Sequence, residues 1–122
     1  MKMHLEHSDQ RLITDYGPGS ISVDGVAFRN AIMISPEAIV ENWFEDDISS
    51  LELEDLEPVL KQKPEILIVG SGTNHRFPPP RLMVELAQQG IALGVMSTSA
   101  ACRTYNVLVS EARNVSAALL QI

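Results

Sequence analysis

Two stretches of this chain hold residues that could do chemistry. In the first, Gly70-Ser71-Gly72-Thr73-Asn74-His75-Arg76 directly follows an apolar run ending at Val69. In the second, Ser97-Thr98-Ser99, with Arg103 one turn further on, follows the apolar run Ile91 to Met96. Glycines let backbone N–H groups come close to an anion. A helix starting near Thr98 would aim its free N–H groups and positive dipole end at the same place. His75, Arg76 and Arg103 would add donors and positive charge. Gly70, Ser71, Gly72, His75, Arg76, Ser97, Thr98 and Arg103 are therefore candidates for binding a small anion or docking a partner. The other reading of Gly-Ser-Gly is an ordinary turn leaving a strand.

The familiar catalytic patterns are missing. The loop lacks the Gly-Lys-Ser/Thr ending of a phosphate-binding loop and the third glycine of a dinucleotide fingerprint. Ser71 lacks the Gly-x-Ser-x-Gly setting of a hydrolase nucleophile. No catalytic residue and no cofactor is assigned. Cys102 is the single cysteine, so neither an intramolecular disulfide nor a cysteine zinc cluster is possible. A helix start and Arg103 would lower its pKa, but Ala-Ala-Cys more often marks a small buried hydrophobe. His4 and His7 lie in a polar segment over residues 1–10, read as a flexible tail rather than a metal site. Glu41 with Glu45-Asp46-Asp47 reads as a solvated acidic loop. In Trp43-Phe44, packing is the default role, with one ring available to an interface.

These residues need elements to position them. Ile13–Tyr16, Ser20–Val23 and Val26–Phe28 read as strands, with Gly17-Pro18-Gly19 and Asp24-Gly25 as turns. Ala31–Ser35 is a further strand; Ala38–Phe44 is strand or short helix. A helix capped by Ser49 or Ser50 carries acids early and Lys61 and Lys63 late. Pro58 either kinks it or delays its start, and Pro64 stops it. From there the pattern is βαβαβ. Ile66–Val69 is a strand buried on both faces. Pro79 or Pro80 opens a helix with Leu82/Leu86 and Met83/Ala87 one turn apart. Gly90 caps that helix in a left-handed conformation. Ile91–Met96 is a strand. The next helix carries Ala101, Tyr105, Leu108 and Ala112 on an apolar stripe and runs to Asn114, before the strand Val115–Leu120. The expected fold is a three-layer α/β domain. Its central mixed, mainly parallel sheet is flanked by helices and by an N-terminal antiparallel β-hairpin layer.

With 122 residues, 45% hydrophobic and 20% charged, the chain reads as one globular domain over residues 1–122. Its net charge of −7 is uneven. Residues 1–65 hold five basic and fourteen acidic side chains, whereas residues 66–122 hold four arginines and two glutamates. An acidic chain without a basic stripe argues against nucleic-acid binding. No apolar run approaches the roughly 20 residues of a membrane span. The first residues have neither a signal-peptide core nor a transit-peptide composition. A cytoplasmic protein is expected, without membrane insertion.

A set of motifs spans the second half: Pro64-Glu65-Ile66-Leu67-Ile68-Val69-Gly70-Ser71-Gly72, Gly90-Ile91, Met96, Thr98, Ala101, Thr104-Tyr105-Asn106-Val107-Leu108 and Glu111-Ala112-Arg113. With Ile13-Thr14-Asp15-Tyr16 and Ser20-Ile21, this resembles the Mth938-like domain family of largely unknown function. Ser71 replaces the threonine of that family's Gly-Thr-Gly loop and keeps the hydroxyl. The resemblance implies a three-layer α/β fold and brings no catalytic residues. Mitochondrial members of that family assemble respiratory complex I, and another member is described as adipogenesis-associated. The expected function is that of a non-catalytic interaction protein with a protein partner, assisting assembly of a respiratory, complex I-like complex. The alternative is an anion- or metabolite-binding domain, or an enzyme, using the Gly70–Arg76 loop and the Ser97–Arg103 helix start. A purely structural oligomer subunit is the third reading.

Overall fold

Asp24 and Gly25 adopt φ of +50° and +85°, the paired left-handed turn whose twist matches a two-residue hairpin. In the computed structural model, which describes residues 11–122, this turn joins β2 (Ser20–Val23) to β3 (Val26–Phe28). With β1 (Ile13–Gly17) they form an antiparallel sheet ordered β1-β2-β3. The expectations for His4, His7 and a tail over residues 1–10 lie outside the described residues.

The larger sheet comprises β4 (Ile32–Ile34), β5 (Ile39–Glu41), β6 (Ile66–Gly70), β7 (Ala92–Met96) and β8 (Val115–Leu119). Their order is β5-β4-β8-β6-β7. Strand β6 runs parallel to both β7 and β8, while β4 is antiparallel to β5 and β8. The sheet is thus mixed, its parallel part being the βαβαβ half read from sequence. Residues 39–41 take the strand alternative. Asn42, at φ +55°, turns the chain out of β5 before Trp43 and Phe44.

Alternation along the strands divides the core in two, because successive side chains point to opposite faces. Ile32, Ile34, Ile68, Val115, Ala117 and Leu119 meet Ile13, Ile21 and Val23 of the small sheet and Ala101, Cys102, Tyr105 and Val109. Met33, Leu67, Val69 and Ala118 face the other way, toward Phe44, Ile48, Leu51, Leu56, Val59, Leu82 and Leu86. Both faces of the sheet are covered, as continuous apolar strands require.

The helices are α1 (Glu57–Leu60), α2 (Pro80–Gln88) and α3 (Thr98–Ser110). The long helix expected from Ser49 or Ser50 is instead two 3-10 turns, Ile48–Ser50 and Leu53–Leu56, followed by the single turn of α1. Asp47 caps the first turn through the Ser49 amide. Pro58 stands at the start of α1, where its missing N–H and its ring prevent one continuous α-helix from running through from Ser49, and acids crowded one turn apart repel each other. Gly90 does close α2 at φ +77°. Helix α3 stops at Ser110, short of Asn114, because Ala112 adopts φ +60°. Ala112 therefore leaves the expected apolar stripe and is exposed. Met83 and Ala87 are also exposed; only Leu82 and Leu86 of α2 enter the core.

The small sheet is fastened to α3 by side chains acting as backbone. Asn106 Oδ1 accepts from the Ile13 N–H at 2.9 Å, and its Nδ2 donates to the Ile13 carbonyl at 2.7 Å. The Tyr105 hydroxyl donates to the Arg11 carbonyl at 2.9 Å. Each such bond contributes about 1 kcal/mol, and more is lost where a buried partner is orphaned. Asn106→Ala is expected to destabilise the protein by about 2 kcal/mol in urea unfolding, with faster hydrogen exchange in β1 and β2 but not in β6.

Candidate functional site

Strands β6 and β7 end side by side, with Gly70 opposite Met96. Loop 70–76 and the start of α3 therefore leave the same edge of the sheet, where open parallel sheets bind ligands. The two segments touch. The Thr98 N–H donates to the Gly72 carbonyl at 2.8 Å, and the Gly72 N–H donates back to Thr98 Oγ1 at 2.8 Å. The Thr98 hydroxyl then donates to the Leu120 carbonyl at 2.7 Å. Leu120 N–H returns to the Gly70 carbonyl at 3.0 Å. Three of these bonds tie the ends of β6 and β8 to the first residue of α3, and the fourth ties the two strand ends to each other.

Gly70 is required by closeness rather than by φ. A Cβ there would lie 2.8 Å from Thr98 Oγ1 and 3.0 Å from Thr98 Cα. Gly72 sits at φ +98°, a region costly for any side chain. Ser71, also buried, places its hydroxyl 2.7 Å from the Asn74 carbonyl and 3.1 Å from that of Met96, and accepts from the Arg76 N–H at 3.0 Å. Ser97 caps α3 by accepting from the Ala100 N–H. The hydroxyls of Ser71, Ser97 and Thr98 are all engaged in holding the backbone.

The charged candidates point to separate partners. Arg76 forms a two-pronged pair with Asp47, at 2.6 and 3.2 Å. The Ser49 hydroxyl and amide hold the Asp47 carboxyl below the usual carboxylate range, against an opposing effect of desolvation and with lesser help from Arg76. The pair is half exposed, so solvent screens most of its stabilisation. Arg103 donates to the Tyr16 hydroxyl at 3.1 Å on the small-sheet side of α3. The exposed His75 ring packs on Phe77 with centroids 4.5 Å apart. Gly70, Ser71, Gly72, Ser97 and Thr98 are thus gathered at one joint, with His75, Arg76 and Arg103 around it in different directions.

Cys102 is fully buried on α3, and that burial pushes its thiol from its ordinary 9.0 up to about 12, against the smaller opposing effect of Arg103. Among the described residues, no group of three or more His, Cys, Asp or Glu is placed to hold a metal ion. Trp43 and Phe44 stack at 5.2 Å, and the Trp43 Nε1–H donates to the Leu119 carbonyl, so both rings serve packing.

Two surface features escaped the sequence. A cavity of about 590 Å³ lies between α2 and the Leu53–Leu56 turn with α1, lined by Leu53 and Leu60 together with Glu52, Glu54, Glu57, Glu85, Lys61, Arg81 and Gln89. An apolar groove of about 210 Å³ lies between α2 and β7, lined by Phe77, Pro78, Pro79, Pro80, Met83, Leu93 and Val95. The signal for the groove was present: Leu82/Leu86 and Met83/Ala87 are offset by one residue on a helix too short to bury both pairs.

Residues 13–120 match the family described as "Protein of unknown function (DUF498/DUF598)". The chain is 30% identical over 107 residues to a Francisella tularensis protein named "13 kDa major membrane protein", covering 87% of each. It is 31% identical over 120 residues to the NADH dehydrogenase [ubiquinone] 1 alpha subcomplex assembly factor 3 of Danio rerio, covering 97% of this chain and 68% of that one. A crystal structure of a Bordetella parapertussis protein superposes with a TM-score of 0.84 at 34% identity, covering 93% of this chain and 97% of that one. The solution structure of a Bordetella pertussis protein described as a Mth938-like domain superposes with a TM-score of 0.74 at 27% identity, covering 93% and 87%.

Thr98→Val keeps the shape and removes the hydroxyl, stranding the Gly72 N–H and the Leu120 carbonyl. A loss of about 3 kcal/mol is expected in urea unfolding. Cys102 supplies a pH test. Unfolded, its thiol ionises near 9.0; folded, it keeps its proton to about 12. The stability this contributes is complete below pH 9 and is lost as pH rises from 9 toward 12. Burial likewise raises the Tyr105 phenol above its ordinary 10.0. The urea midpoint should fall across that alkaline range, and Cys102→Ser should flatten part of the fall.

Proposed function

The chain belongs to the DUF498/DUF598 family, and on that basis we propose that it is a non-catalytic interaction protein that helps assemble a respiratory, complex I-like complex. The observation carrying this reading is the match to assembly factor 3, which spans nearly the whole of this chain in both Danio rerio and Xenopus tropicalis. The chain corresponds to about two-thirds of those proteins' length, so their partners are not transferred by name. The engaged hydroxyls at the joint support the reading too: side chains that hold backbone together are poor nucleophiles, since activation needs an adjacent free base. On this reading the protein acts as one α/β domain in the cytoplasm. No helix among the described residues is long and apolar enough to cross a membrane.

A second reading is favoured by one feature, the meeting of loop 70–76 and the α3 start at the carboxyl ends of parallel strands. There Gly70, Ser71, Gly72, His75, Arg76, Ser97, Thr98 and Arg103 would bind a small anion. In that case phosphate or anionic metabolites would raise the melting temperature, and Arg76→Ala with Arg103→Ala would abolish the rise.

Capture of the tagged chain from its native host tests the leading reading. Subunits of a respiratory complex should be recovered with it, and deleting its gene should lower the amount of assembled NADH:ubiquinone oxidoreductase. An empty capture together with an unchanged level of assembled complex would reject assembly as its role.

A further inference from the structure

Sheet edges are open hydrogen-bonding surfaces, and proteins that remain single usually guard them with charge, proline or shortness. Here β1 carries Asp15 and β5 ends on Glu41. Strand β3 has only three residues between Asp24-Gly25 and Arg29, and Gln121 donates to its Phe28 carbonyl. Strand β7, Ala92-Leu93-Gly94-Val95-Met96, has no guard. It is the last strand of the larger sheet, is uncharged throughout, and is preceded by Ile91 and followed by Ser97.

Its backbone alternates in a known sense. The Ala92 N–H donates inward to the Glu65 carbonyl, and the Met96 carbonyl accepts inward from Ser71. Ala92, Gly94 and Met96 therefore spend their backbone groups on the β6 side, leaving Leu93 and Val95 with N–H and C=O turned outward. The Leu93 and Val95 side chains form the floor of the apolar groove, whose walls are Phe77, Pro78–Pro80 and Met83. Phe77 is 67% and Met83 53% exposed, an unusual cost for large apolar groups beside an open strand.

We propose that β7 pairs antiparallel with β7 of a second copy of this chain, about a two-fold axis through Gly94, joining two five-stranded sheets into one. In that register Leu93 faces Val95 of the second copy, and each such pair exchanges two hydrogen bonds through the outward groups. Gly94 meets its counterpart at the close, non-hydrogen-bonded position, where the lack of side chains permits approach. Opposed residues share a face, so Leu93 and Val95 from both copies form one apolar floor beneath Phe77 and Met83 of both.

Charge selects this occupant. Each copy carries −7, so contact between acidic faces is opposed. Neither β7 nor the groove contains a charged side chain, and β5, which ends on Glu41, lies at the far edge of the sheet. An uncharged edge offers nothing to a charged partner segment, whereas a second β7 matches its length, apolar character and hydrogen-bonding alternation. The pairing is independent of the assembly role.

Sedimentation velocity on the isolated full chain tests the proposal. A reversible species of twice the 13.4 kDa chain mass is expected to be populated at about 100 μM, a range suited to a small interface. Val95→Pro removes an outward N–H that β6 does not use, a substitution edge strands tolerate. Met83→Lys charges the groove wall at an exposed helix position that leaves the fold intact. Each should weaken dimerisation at least tenfold with circular dichroism unchanged. A wild-type chain that stays monomeric throughout, or a dimer of equal affinity in Met83→Lys, would overturn the proposal.

Discussion

The hydroxyl of Thr98 does one small thing on which the arrangement of the larger sheet depends. It accepts from Gly72 and donates to Leu120, so a single buried side chain joins the ends of β6 and β8 to the first residue of α3. Strand and helix ends leave backbone groups without partners, and three such ends meet here. A buried group left unsatisfied costs about 1–3 kcal/mol, a large part of the 5–15 kcal/mol that holds a typical domain folded. Gly70 belongs to the same knot, since only a residue without Cβ lets Thr98 come this close.

The motifs that marked the family resemblance turn out to hold the molecule together. Asn106 mimics a strand by taking both backbone groups of Ile13. Glu65 and Arg113 pair at 3.1 Å across the start of β6 and the end of the second crossover. Gly90 turns α2 toward β7. In this chain these residues act on the architecture, which is the architecture of solved relatives at about 30% identity.

The sequence was most legible where one local rule dominated. Asp24-Gly25 and the apolar run Ile66–Val69 each have a single favourable conformation, and the hairpin turn and the buried strand stand where the sequence puts them. The meeting of loop 70–76 with the α3 start follows from both leaving the carboxyl ends of the parallel strands β6 and β7. Legibility failed where rules competed. Pro58 and the acids around it split one expected helix into three short turns, and Ala112 adopted a conformation its side chain disfavours. The directions taken by Arg76 and Arg103 were illegible because they depend on Asp47 and Tyr16, far away in the chain. The exposed Met83 side of α2 has a local signal, but that it borders an open strand emerges only from the strand order, because nothing local marks β7 as the last in its sheet.

Hydrogen exchange of individual amides measures the Thr98 knot most directly. The N–H groups of Gly72, Thr98 and Leu120 each donate within it. They should exchange only through global unfolding, as slowly as the centre of β6, while the neighbouring exposed Asn74 and His75 exchange quickly. Exchange of Gly72 and Leu120 at the rate of those exposed neighbours would contradict the central role given to Thr98.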